Sequence, residues 1–136
     1  MLLSARILDS VGSVNDFNYV DQAGFTEGDV ARIFFQLIDA TKDGVLQQFK
    51  PAGRRFCPAA AATLSVKLDN IDDDKALTRD AIQPYATLDA SIWYVDVLAT
   101  DKVRGTVDLV LTLTEGSKIT RGRVPAAISV ANQGCL

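Results

Sequence analysis

The chain has 136 residues, of which 48% are hydrophobic and 23% charged, with a formal net charge of −3 and no histidine. That length suits one domain spanning residues 1–136, with enough chain to bury a core without metals or disulfides. The balance excludes a disordered tail protein and gives no global attraction for nucleic acid or anionic lipid.

The opening MLLSARILDS has too short an apolar run for a signal-peptide core, and no stretch approaches the roughly 20 apolar residues of a membrane span. A soluble protein not secreted by a cleaved signal is expected, with no membrane partner. A first strand is placed near ARILDSV. The turn residues Glu27, Gly28 and Asp29 then precede VARIFFQLID, where Ala31, Ile33, Phe35 and Leu37 are expected to face the core. Arg32 and Gln36 would point outward, with Phe34 covered by a neighbour.

After the turn KDG at 42–44, a short strand piece is placed at Gln48 to Lys50. Ala62, Leu64, Val66 and Leu68 alternate with Thr63, Ser65, Lys67 and Asp69, which puts the apolar set on one strand face. The acidic DNIDDDK and the following ALTRDAIQP have room for one helical turn capped by Asp72, stopped by Pro84. In SIWYVDVLA, Trp93, Val95 and Val97 are expected to be buried opposite Asp96.

Residues 107–114 alternate again, and EGSK at 115–118 reads as a hairpin with Gly116 at positive φ. Finally Val124, Ala126, Ile128 and Val130 would point one way and Pro125, Ala127, Ser129 and Ala131 the other. Proline cannot donate to a ladder, so this strand is expected to start at Pro125 or to lie at an edge. The strand spacing and the lack of a long helical pattern predict an all-β fold, an antiparallel β-sandwich of about seven strands.

Candidate sites are few. Without histidine, the Ser-His-Asp and Cys-His arrangements and nearly every catalytic zinc or iron site are excluded. The run Asp69, Asp72, Asp73 and Asp74 has oxygen ligands of the kind calcium takes, but it lacks EF-hand spacing and reads as a solvated turn. Asp89, Asp96 and Asp108 are spread over exposed strand faces rather than converging as a glycosidase pair. No glycine-rich phosphate loop follows a strand. No metal or cofactor is therefore expected.

Lys118, Arg121 and Arg123 near the last hairpin, and the pair Arg54 and Arg55, read equally as interface anchors or as charges protecting an edge. Trp93 reads as core, while Tyr85 and Tyr94 would add aromatic surface suited to binding. Cys57 and Cys135 read as two free thiols in a reducing compartment in preference to one bridge.

The order of these elements, with Glu27, Gly28 and Asp29 before the first core strand, Asp89, Ser91, Ile92 and Trp93 entering the tryptophan strand, and Leu113, Thr114, Glu115 and Gly116 in the hairpin, resembles a known domain. It is similar, over roughly Gly24 to Val130, to the immunoglobulin-like N-terminal domain of phage baseplate upper proteins and related tail-fibre attachment proteins. The resemblance implies an immunoglobulin-like sandwich and a non-enzymatic structural role in a virion, as a tail or baseplate component or a fibre adaptor. Its partners would be other virion proteins, among them a tail or baseplate hub, fibres and further copies of itself, in a particle assembled in the host cytoplasm. Baseplate upper proteins continue into a stalk beyond this domain, which favours an adaptor or a decoration subunit. The alternative from another class is a carbohydrate- or host-surface-binding sandwich, with Tyr85, Tyr94 and the acidic run as its contacts.

Overall fold

A computed structural model describes residues 1–10, 17–20, 22–26, 30–41, 53–59, 61–68, 78–80, 91–98 and 105–131. Among them there is no helix, and ten strands follow in order: β1 Leu3–Ser10, β2 Phe17–Val20, β3 Ala23–Thr26, β4 Val30–Asp39, β5 Arg54–Arg55, β6 Thr63–Leu68, β7 Thr78–Asp80, β8 Ile92–Leu98, β9 Gly105–Glu115 and β10 Lys118–Ala131. The all-β expectation holds, with more strands than the expected seven or so. Thr78–Asp80 is strand, and the residues immediately after Asp72, where one helical turn is expected, lie outside the described residues. The residues expected to form turns at 27–29, 42–44 and 72–75, and the strand piece at 48–50, lie outside the described residues.

One sheet runs β2-β1-β4, with the far edge of β4 shared by β8 (Val30 to Gln36) and β5 (Ile38 and Asp39). The other runs β3-β10-β9-β6-β7. All pairings are antiparallel except β3 with β10, where Ile128 opposes Ala23 and Ala131 opposes Thr26 in parallel. The second sheet is thus mixed, a correction to the purely antiparallel expectation. β3 enters it from an earlier part of the chain instead of through a hairpin, and nothing then forces the reversed direction.

The two sheets share one core. Leu3, Ala5 and Ile7 of β1, Ile33, Phe35 and Leu37 of β4, and Trp93 and Val95 of β8 face Leu64, Val66 and Leu68 of β6 and Val107, Leu109, Leu111 and Leu113 of β9. Period-two alternation is the cause, since it places each apolar set on one side of its strand. Each fully buried leucine contributes about 1.5–3 kcal/mol relative to exposure. At Gly122 of β10 the sheets come so close that a Cβ would collide with the Leu3 carbonyl. Glycine is required there by space, not by backbone angle.

The β9–β10 hairpin closes on Gly116 and Ser117, with Glu115 opposite Lys118. Gly116 has φ of 63° and Ser117 does not share the positive φ, the pattern of a hairpin turn with glycine at its first central position.

The late strand differs from its expectation. β10 neither begins at Pro125 nor lies at an edge: it begins at Lys118 and sits between β3 and β9, and Pro125 falls inside it. The ladder accommodates proline through a bulge, because Val124 pairs Leu109 while the next pair is Ile128 with Val107. Three residues of β10 therefore face one of β9, and the two extra residues keep Val124, Ile128 and Val130 on the core side. Within the bulge the roles exchange: Ala127 is fully buried, whereas Ala126 is half-buried at φ of 50°.

Gln36 is the other correction. It was expected outward, and it does leave the shared core, but only 5% of it is exposed. The outer face of this sheet is covered at that point, as Arg6 and Ile38 show with 4% and 0% exposure.

Candidate functional site

Three groups of polar side chains organise the outer surfaces. The first surrounds Gln36. Its Oε1 accepts from Arg6 Nη1 at 3.2 Å and from Tyr19 Oη at 3.1 Å, while its Nε2 donates to Ser91 Oγ at 3.2 Å. Arg6 Nη2 also donates to the Gly53 carbonyl, and the Arg6 guanidinium stands 5.7 Å from the Tyr19 ring centroid. One glutamine thus ties β1, β2, β4 and the start of β8 together, and Arg6 adds the chain ahead of β5. The register explains the meeting: Arg6 is directly opposite Gln36, which is opposite Ile92. Buried polar groups satisfied in this way fix one arrangement of strands.

The second group lies further along the same face. Arg32 Nε and Nη2 donate to the two oxygens of Asp96 at 2.8 and 3.1 Å, a bidentate pair across β4 and β8. The Arg32 guanidinium also sits 4.4 Å from the Tyr94 ring centroid, and Tyr94 packs on Phe34 at 5.8 Å. The hydrogen bonds from Arg32 hold the Asp96 carboxyl below the usual carboxylate range, against a smaller upward push from burial. Tyr94 is half-buried beneath this pair rather than a freely exposed aromatic.

Beside them is a cleft of about 360 Å³ lined by Leu8, Asp9, Gln22, Gly24, Arg32 and Phe34 among others. It forms where β1 parts from β4, since the last paired residues are Leu8 and Phe34, and β1 continues with β2 alone.

The third group is on the second sheet. Asp108 stands opposite the bulge, where its Oδ1 accepts the Ala126 amide at 2.8 Å and its Oδ2 accepts from Arg123 Nη1 at 2.8 Å. The same outer face presents Lys67, Arg121 and Arg123 with Ile119, which is 55% exposed. At the end of β4, Asp39 Oδ1 accepts from the Thr41 hydroxyl, the Thr41 amide and the Leu2 amide. Its carboxyl is held below the ordinary range, chiefly by the Thr41 hydroxyl.

Of the residues singled out in the sequence, Asp96 and Asp108 are on different sheets and each is paired with an arginine, so they do not converge. Asp69, Asp72, Asp73, Asp74, Tyr85, Asp89 and Cys135 lie outside the described residues. Cys57 is an exposed free thiol, and Trp93 is 5% exposed in the core with its indole N–H lacking a hydrogen-bond partner. Among the described residues, no group of three or more acids and cysteines is placed to hold a metal ion, and no helix is long and apolar enough to cross a membrane. Lys118, Arg121 and Arg123 are all exposed along β10, as are Arg54 and Arg55 on β5.

Sequence reasoning missed the Arg6–Gln36–Tyr19–Ser91 cluster. The available signal was an arginine and a glutamine set within otherwise apolar strands, Arg6 between Ala5 and Ile7 and Gln36 between Phe35 and Leu37. No protein-family model matches the chain, and no curated protein or solved structure matches it.

Proposed function

We propose that this protein is a non-enzymatic structural component of a phage virion, an immunoglobulin-like sandwich acting in a tail or baseplate or as a fibre adaptor. The observation that carries the reading is the use made of three carboxylates, those of Asp39, Asp96 and Asp108. Asp39 closes a turn, Asp96 clamps β4 to β8, and Asp108 holds a bulge. Each is engaged in fixing strands, which suits a rigid body whose surface is its working part. Such a body acts by assembly: repeated contacts with a hub, with fibres or with further copies multiply modest affinities into a stable particle. Its setting is then the virion, assembled in the host cytoplasm. Mass spectrometry of purified particles tests the reading; the chain is expected among the virion proteins, and its consistent absence would overturn it.

A second reading, recognition of a carbohydrate on a host surface, draws on the cleft beside Phe34, Arg32 and Tyr94. A cleft with an aromatic wall and a few polar groups is the usual form of a small-ligand site. A glycan array with the wild-type chain and with Arg32→Ala decides it: binding lost in the variant supports this reading, and no binding by the wild type removes it.

A further inference from the structure

Strand β4 has neighbours on both sides for only part of its length. β8 pairs it over residues 30–36 on one side, whereas β1 pairs it over residues 34–39 on the other. Among the described residues, 30–33 therefore have a strand on one side only. Successive residues of a strand turn their N–H and C=O groups to opposite sides, so every second one of these residues presents both groups to the side that β1 has left. Backbone groups at such an open edge are a ready template for a further strand.

The cleft described above occupies that side. Leu8 and Asp9 of β1 form one wall and Arg32, Ile33 and Phe34 of β4 the other, with Gln22, just ahead of β3, also lining it. It is a fork between two diverging strands of one sheet. Alternation sorts its walls: Asp9 is in step with Ile7, and like Ile33 it belongs to the face turned to the second sheet, whereas Leu8 and Phe34 belong to the outer face.

Charge is sorted in the same way. Both oxygens of Asp96 hold the Arg32 guanidinium, which compensates its charge. The Asp9 carboxylate and the Gln22 carboxamide are exposed, and neither engages a hydrogen bond or ion pair. Among the described residues that line it, the fork thus has one uncompensated negative charge on its inner side and an apolar surface, Leu8 with Phe34, on its outer side.

We propose that this fork receives an extended segment of a partner protein, which joins the sheet as a strand beside residues 30–33. It turns basic side chains toward Asp9 and apolar ones toward Leu8 and Phe34. Strand addition of this kind takes its affinity from the backbone ladder and its selectivity from alternate side chains. The open edge is short, so one contact is modest and repetition makes it effective. The inference rests on the assembly reading above, for which it names the chemistry of one contact, and it gives the cleft a peptide where the second reading gives it a sugar.

The probe is a short synthetic peptide in which valine alternates with lysine, labelled with fluorescein and titrated with the full chain while anisotropy is followed. Saturable binding is expected. Replacing the peptide's lysines by glutamate, or introducing Asp9→Lys in the chain, is expected to weaken it by about tenfold or more, and combining the two changes to restore it. Asp9 is exposed and unpaired, so the variant is expected to fold, with Trp93 fluorescence as the check and Asp9→Asn as the milder substitute. Methylating the amide nitrogens of all the valines, or of all the lysines, leaves side-chain charge untouched and removes one set of ladder donors. One of these two peptides is expected to lose binding and the other to keep it, since only alternate amides face β4. No binding by the parent peptide, equal binding by the two methylated ones, or binding indifferent to Asp9 would overturn the inference. None of these results alters whether the chain is found in purified particles, so this failure is separable from that of the assembly reading.

Discussion

The amide of Ala126 donates to Asp108 Oδ1 at 2.8 Å across the bulge that interrupts the β9–β10 ladder. Three residues of β10 oppose one of β9 there, so an amide turned out of the ladder needs another acceptor. The side chain of the single opposing residue provides it, and the second oxygen holds Arg123.

Asp108→Ala removes that acceptor and is expected to cost about 1–2 kcal/mol, the usual loss for a partly buried amide left to water. Asp108→Asn keeps an acceptor oxygen and costs less. Ala126 has φ of 50°, a region costly for any residue with a Cβ. Ala126→Gly should therefore stabilise by about 0.5–1 kcal/mol, after the entropy of glycine in the unfolded chain is set against the relief. Urea unfolding followed by Trp93 fluorescence measures all three, and a destabilised glycine variant would refute the strain argument.

Gly122→Ala is expected to be among the most damaging single-methyl additions in the chain, at about 2–3 kcal/mol. The obstacle is the Leu3 backbone carbonyl, which cannot rotate away as a side chain would. Gly116→Ala meets no atom within 4 Å and strains only its own backbone, so the smaller loss should fall there. Thermal unfolding of the two variants side by side checks the order.

Gln36→Leu keeps the bulk but removes an acceptor shared by Arg6 and Tyr19 and a donor to Ser91, and a loss of about 2–3 kcal/mol is expected. Tyr19→Phe gives up one bond at the half-buried margin and should cost less than about 1 kcal/mol. A double-mutant cycle between Arg6→Met and Gln36→Leu is expected to show strong coupling. Additive effects would mean that the two side chains do not act as a unit.

Asp39 and Asp96 both have carboxyls held below their ordinary value, so the folded state binds their protons less readily than the unfolded chain does. Their contribution to stability is complete above the ordinary aspartate range near about pH 4 and is lost as pH falls through the lower folded-state values. Urea midpoints measured from pH 6 down to pH 2 should decline most steeply below about pH 4. Asp96→Asn should flatten that decline while lowering stability at neutral pH. An unchanged acid limb in the variant would show that the Arg32 pair contributes nothing, as exposed ion pairs sometimes do.

The clean alternations were readable because nothing interrupts them. Leu64, Val66 and Leu68, and again Val107, Leu109, Leu111 and Leu113, are buried at every second position. The Gly116 turn was equally open, since glycine at a hairpin's first central position has a local cause. The bulge was hidden because two extra residues leave parity intact: Val124, Ile128 and Val130 read as one uninterrupted face, and only Ala126 and Ala127 betray the insertion. The parallel partnership of β3 with β10 had no local signal, because strand direction is set by which distant segment arrives beside it.

A side chain's own chemistry and the period of its neighbours determined the strands, the hairpin and the exclusion of histidine chemistry, all of which are properties of short windows of chain. Which face of a strand is covered was decided only by folding. Gln36 looks like a solvent residue until β1, β2 and the chain before β5 close over it. The same holds for charge: Arg54 and Arg55 are more than sixty positions from Lys118 and Arg121, yet strand pairing brings both to one end. Alternation is encoded within a few residues, whereas burial and the grouping of charges depend on contacts between segments that the sequence keeps far apart.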